Sequence, residues 1–102
     1  MSHLRISSVS KQYVRSHVEA EKNGVEYDPT GDVVHFAFTA TDDVDGATWN
    51  AGSWETSSGR HYARCLIGPD AVVLTKGTYV VHVRVTDNPE APADKVGMIT
   101  IY

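Results

Sequence analysis

The stretch YVVHVRVT, residues 79–86, alternates with a period of two. Tyr79, Val81, Val83 and Val85 fall on one side, and Val80, His82, Arg84 and Thr86 on the other. Successive side chains leave a strand on opposite faces, whereas a helix repeats about every 3.6 residues. One apolar and one mixed face is the mark of an antiparallel strand with a single side on a core. The pattern recurs along the chain. In residues 31–40, Val34, Phe36, Phe38 and Ala40 share a face. In residues 13–20 the expected inward set is Val14, Ser16, Val18 and Ala20. Residues 60–67 set Tyr62, Arg64 and Leu66 against His61, Ala63, Cys65 and Ile67, and residues 96–102 turn Ile99 and Ile101 inward. Shorter strands are expected at 4–9, 25–27, 53–56 and 71–74.

Turn chemistry separates these runs. Asn23-Gly24, Asp28-Pro29-Thr30-Gly31, Asp45-Gly46, Ser58-Gly59, Gly68-Pro69-Asp70, Lys76-Gly77 and Asn88-Pro89 all combine residues that favour tight bends. No window of a dozen residues has the apolar stripe and caps of a helix. The expected fold is all-β: an antiparallel sandwich of about seven strands in a single domain spanning residues 1–102. A single cysteine, Cys65, rules out an internal disulfide, so the fold must stand on its core or on partners.

The segment Leu74-Thr75-Lys76-Gly77-Thr78-Tyr79 is similar to the tyrosine corner of immunoglobulin-like sandwiches, in which a tyrosine opening a late strand bonds back to the chain upstream of the turn. Val81 then stands where an antibody domain has its second cysteine. The expectation is therefore an immunoglobulin-like sandwich without the disulfide.

Charge narrows the function classes. A net charge of −4 argues against sequence-independent nucleic-acid binding, which needs a basic face to release counterions. A local basic patch is still open to it if Arg60, Arg64 and Arg84 share a side. No apolar run approaches the ~20 residues of a membrane span, and the first 18 residues contain no apolar signal core. No membrane partner is expected.

Candidate chemistry is sparse. Asp42-Asp43-Val44-Asp45-Gly46 has alternating carboxylates, but the calcium-loop spacing fails, so a plain acidic loop is preferred. Five histidines, His3, His17, His35, His61 and His82, form no zinc motif, although His35 and His82 could meet across a sheet. Cys65 lacks the signature of an activated nucleophile and reads as a small buried side chain. No catalytic residue, metal ligand or cofactor is expected. Trp49 and Trp54, five apart, admit three readings: core packing, a protein interface or a stacking platform for a carbohydrate. The loop at 87–94 is stiffened by prolines, which makes Asn88, Pro89 and Pro92 interface candidates.

Residues 68–102, GPDAVVLTKGTYVVHVRVTDNPEAPADKVGMITIY, follow DPTGDVVHFAFT at 28–39 and a Trp-x4-Trp segment at 49–54. In that order they resemble small immunoglobulin-like proteins from the virion-structure modules of tailed phages of actinobacteria. The ending also looks like the N-terminal sandwich of phage baseplate upper proteins. The resemblance implies a non-enzymatic virion component on the capsid surface or in the head–tail region, most simply a capsid decoration protein. Alternatives within that class are the tail, the head–tail junction and the baseplate. The implied partners are the major capsid protein, other virion proteins and further copies of the chain as a homo-oligomer. Residues 1–10 would be an assembly arm, and Tyr102 would end an edge strand open to pairing with a neighbour. The rival class is a carbohydrate-binding module using Trp49 and Trp54.

Overall fold

The computed structural model describes residues 3–19, 21–22, 24–26, 28–86 and 93–102. Asn88, Pro89 and Pro92 lie outside the described residues, as do Ala20, Asn23 and Tyr27. The strands are β1 (Leu4–Ile6), β2 (Gln12–Val18), β3 (Glu21–Lys22), β4 (Val25–Glu26), β5 (Val33–Thr39), β6 (Asn50–Ala51), β7 (Ser53–Ser57), β8 (Arg60–Ile67), β9 (Gly77–Thr86) and β10 (Ala93–Ile101). A single 3-10 turn, Pro29–Gly31, precedes β5. Its entry is fixed by Asp28, whose carboxylate accepts from the Thr30 N–H at 2.9 Å and the Thr30 hydroxyl at 2.6 Å. These two bonds, the hydroxyl's first, and His61 nearby hold the Asp28 carboxyl below its ordinary range.

Five strands form one sheet in the order β1-β10-β9-β5-β6, and three form the other in the order β2-β8-β7. β3 and β4 make a separate hairpin. All pairings are antiparallel except β1 with β10. In immunoglobulin letters this is A′GFCC′ facing BED. The tyrosine corner is present: the Tyr79 hydroxyl donates to the Thr75 carbonyl at 2.7 Å. Val81, at the position of the antibody domain's second cysteine, is fully buried, as is Val14 of β2.

Alternation fills the space between the sheets. Val34, Phe36, Val81, Val83, Ile99 and Ile101 from one sheet meet Val14, Ala63, Cys65 and Ile67 from the other in one cluster. Ile6 of β1 joins it at 2 % exposure, so the described start of the chain is packed into the sandwich. Each buried Val, Ile or Phe side chain among them contributes about 1.5–3 kcal/mol on leaving water.

Two departures from simple alternation matter. β9 is buried on both faces at its centre, since Val80 and His82 are as enclosed as Val81 and Val83. The connection at residues 40–49 runs along this side. It reaches across the outer side of the five-stranded sheet, with Trp49 under the Arg84 guanidinium at 4.3 Å and Asp42 paired to Lys95 at 3.0 Å. The segment expected as a strand at 71–74 instead supplies an isolated bridge, Val72 to Ile67.

The two sheets are joined by one residue at Gly52. β6 belongs to one sheet and β7 to the other, so the chain changes sheet at this position. A Cβ there would lie 2.9 Å from the Arg64 carbonyl oxygen and 3.0 Å from the Phe36 ring. Backbone on one side and a fully buried ring on the other leave nothing free to move. Gly52→Ala is expected to cost about 1–3 kcal/mol in urea unfolding followed by tryptophan fluorescence. Gly31→Ala, where an added Cβ meets nothing within 4 Å, is the control and should stay within about 0.5 kcal/mol of the parent.

Candidate interaction surface

The outer faces of the two sheets differ. On the five-stranded sheet, Ala37 and His82 are buried, and His82 Nε2 lies 2.9 Å from the Thr39 hydroxyl. His35 stands opposite Arg84 across β5 and β9, so His35 and His82 are diagonal neighbours rather than a facing pair. His35 Nδ1 and Arg84 Nε are buried without a hydrogen-bond partner. Among the described residues no three His, Cys, Asp or Glu side chains converge as a metal ion requires. The acidic loop spends its groups locally: Asp43 accepts from the Asp45 N–H at 2.8 Å, and Asp42 pairs with Lys95.

The three-stranded sheet presents an open face. Register places Arg15 of β2 directly opposite Arg64 of β8, with Tyr13 opposite Leu66 and His17 opposite Tyr62. Two like charges facing each other on adjacent strands destabilise a sheet. Here they are drawn apart and bridged. The Arg15 guanidinium swings onto Tyr62 at 4.5 Å, and that of Arg64 swings the other way onto Tyr13 at 4.4 Å. Both are diagonal contacts, within reach of long side chains. Glu55 of β7 closes the gap, reaching Arg15 at 2.5 Å and Arg64 at 3.4 Å. Arg64 Nε also donates to the Ser53 hydroxyl at 3.1 Å. His17 packs against Tyr62 with ring centres 5.4 Å apart. The result is a row, Tyr13–Arg64–Glu55–Arg15–Tyr62–His17, lying on an uncovered sheet; Tyr13 keeps 41 % of its surface in water. With His17 neutral, this row has one excess positive charge on a chain of net charge −4.

The hairpin between β7 and β8 supports the row from below. Ser58 and Gly59 both take positive φ, 51° and 74°, the pair of conformations that matches strand twist in a two-residue turn. That turn fixes Ser57 opposite Arg60 and hence Ser53 opposite Arg64.

The tryptophans expected as a pair are not brought together. Trp54 lies opposite the buried Ala63, packs against the core and donates its indole N–H to the Asp32 carbonyl at 2.9 Å. Trp49 stacks with Arg84 on the far side of the five-stranded sheet. Arg64 and Arg84 therefore sit on opposite outer faces and form no shared basic patch. Tyr102 is 53 % exposed but does not end an edge strand as expected: β1 lies alongside the end of β10, Arg5 lies over the Tyr102 ring at 5.1 Å, and the Tyr102 backbone bonds to Ile6 and Ser8. The residues missed in the sequence, Tyr13, Arg15 and Glu55, carried a signal. Tyr-x-Arg occurs twice, at 13–15 and 62–64, and in antiparallel strands the two copies bring each arginine to the other's tyrosine.

Cys65 is buried in the core, and burial pushes its thiol up to about 11. It is a neutral packing group and not a nucleophile. Comparison with protein-family models, with curated proteins and with solved structures finds no match for the chain.

Two expectations follow from this geometry. Glu55→Gln leaves the arginines facing each other without their bridge, and should cost about 1 kcal/mol at low salt, shrinking at high salt, in chemical denaturation. For Cys65, the unfolded thiol ionises near its ordinary 9.0 but the folded one only near 11. Between those values the unfolded chain loses a proton that the native chain keeps, so stability falls as pH rises through that window and is unaffected below it. The loss should reach about 2–3 kcal/mol and be absent from the pH profile of Cys65→Ala.

Proposed function

We propose that the chain is a non-enzymatic structural protein of a phage virion, a decoration or cement protein that docks on neighbouring capsid subunits through the outer face of its three-stranded sheet. The observation that carries this reading is the Tyr13–Arg64–Glu55–Arg15–Tyr62 row. Tyrosine and arginine are the side chains that dominate binding hot spots, with tryptophan. In this row they are already locked to one another, so a partner meets side chains that have little rotamer freedom left to lose.

The virion setting is supported by the resemblance of residues 28–39, 49–54 and 68–102 to phage immunoglobulin-like proteins, and by an all-β scaffold suited to rigid assembly. Stacking of a glycan across Trp49 and Trp54 has less support, since the two rings occupy different faces and each is already engaged.

Quantitative mass spectrometry of purified virions tests the proposal. A copy number comparable to that of the major capsid protein is the expected result. A few copies per particle would move the protein to the tail, head–tail junction or baseplate. Absence from the particle would reject the virion reading.

A further inference from the structure

β2 is the long uncovered edge of the sandwich. In the immunoglobulin arrangement a first strand pairs with this edge. Here β1 has gone to the other sheet, beside β10, and β2 ends the three-stranded sheet. An edge strand exposes alternate backbone N–H and C=O groups, and proteins ordinarily blunt such edges by shortness, bulges, proline or inward charges. The five-stranded sheet does so: it ends in the three-residue β1 and the two-residue β6, and β10 beyond β1 has a register shift between Lys95 and Gly97. β2 has seven residues, QYVRSHV, pairs with β8 without a register shift, and contains no proline.

We infer that β2 pairs with β2 of a second copy, antiparallel about a two-fold axis at Val14, to give one continuous six-stranded sheet. The register follows from the side chains. Centring on Arg15 would oppose two guanidinium groups. Centring on Tyr13 would set Lys11 against the partner's Arg15. Centring on Ser16 would set Arg15 against the partner's His17 and Tyr13 against the partner's Glu19, which loses the Tyr–Arg pair. Centring on Val14 places Tyr13 opposite the partner's Arg15, and Arg15 opposite the partner's Tyr13, with Lys11 opposite the partner's His17 at each end. That sets directly opposite each other, between chains, the two side-chain types that meet on the diagonal between β2 and β8, where Arg64 covers Tyr13 and Arg15 covers Tyr62. Each new stack then alternates, Tyr62–Arg15 from one chain and Tyr13–Arg64 from the other. The other edge of this sheet, β7, is shorter, at five residues, and SWETS holds no arginine to set against a partner's aromatic ring. Pairing at β2 is in the plane of the sheet, so the outer faces of both copies stay open and merge into one surface. The inference does not depend on the virion setting.

Sedimentation equilibrium of the full chain over a range of concentrations tests this. The mass is expected to rise from one 11.2 kDa chain towards two. Tyr13→Lys, which sets an ammonium against the partner's Arg15, should weaken the dimer by more than about tenfold. Tyr13→Glu, which sets a carboxylate there, should preserve or tighten it. Circular dichroism confirms that both variants fold; Tyr13 is an exposed position, so both are expected to. Hydrogen exchange should slow with concentration at the β2 amides that point away from β8. A chain that stays monomeric at all accessible concentrations overturns the inference. So does a dimer indifferent to Tyr13→Lys, one broken equally by Tyr13→Glu, or protection that appears away from β2.

Discussion

The chain crosses from one sheet to the other in the space of Gly52, and the remaining geometry follows from how close that crossing is. Phe36 lies against one side of it and the Arg64 carbonyl against the other. The Gly52 N–H bonds to the Val34 carbonyl at 2.9 Å, so the crossing stays tied to β5 as it leaves. A longer connection would let β7 slide along β8. This one delivers Ser53 to Arg64 and Glu55 to Tyr62 in fixed register. The single carboxylate of the outer row is thereby held between two arginines. Core packing and surface electrostatics thus share one cause, a position with no side chain.

Legibility in the sequence followed the range of the forces involved. β8 is bounded by the residues expected, 60–67, because its alternation is strict and a Ser-Gly turn precedes it. Ile99 and Ile101 face the core as expected for the same reason. The tyrosine corner was readable from six contiguous residues, since its hydrogen bond spans only four positions. What could not be read were facts created by other segments. Val80 and His82 belong to the mixed face of β9, yet both are buried. β3 and β6, two residues each, are too short to show any period. The stretch 71–74 is apolar enough to read as a strand, but it bends after Asp70, which adopts a left-handed φ of 63°.

The same logic explains why attention fell on Trp49 and Trp54. Proximity in sequence suggested proximity in space, but the sheet crossing lies between them. Trp49 is left outside one sheet, and Trp54 is turned inward from the other. Tyr13 and Arg64 are 51 positions apart and touch. Alternation assigns each residue to a face of its own strand, but it says nothing about which strand lies alongside or in what register. The repeated Tyr-x-Arg becomes informative only once β2 and β8 are known to be antiparallel neighbours.

The sandwich is therefore two-sided in a physical sense. One sheet is covered by its own connection, and its free edges are cut short. The other has an open face and, in β2, the longer of its two edge strands, with its arginines kept from repelling each other by Glu55 and by two tyrosine rings. Exposed guanidinium groups in water interact weakly, because solvent screens them and their side chains are mobile. Stacking removes much of that mobility before any partner arrives, and the order is maintained by residues of three strands rather than one. A flat surface prepared in this way favours association in one orientation. Face and edge lie at right angles, so contact at one leaves the other free, and a single small domain can join two kinds of neighbour at once.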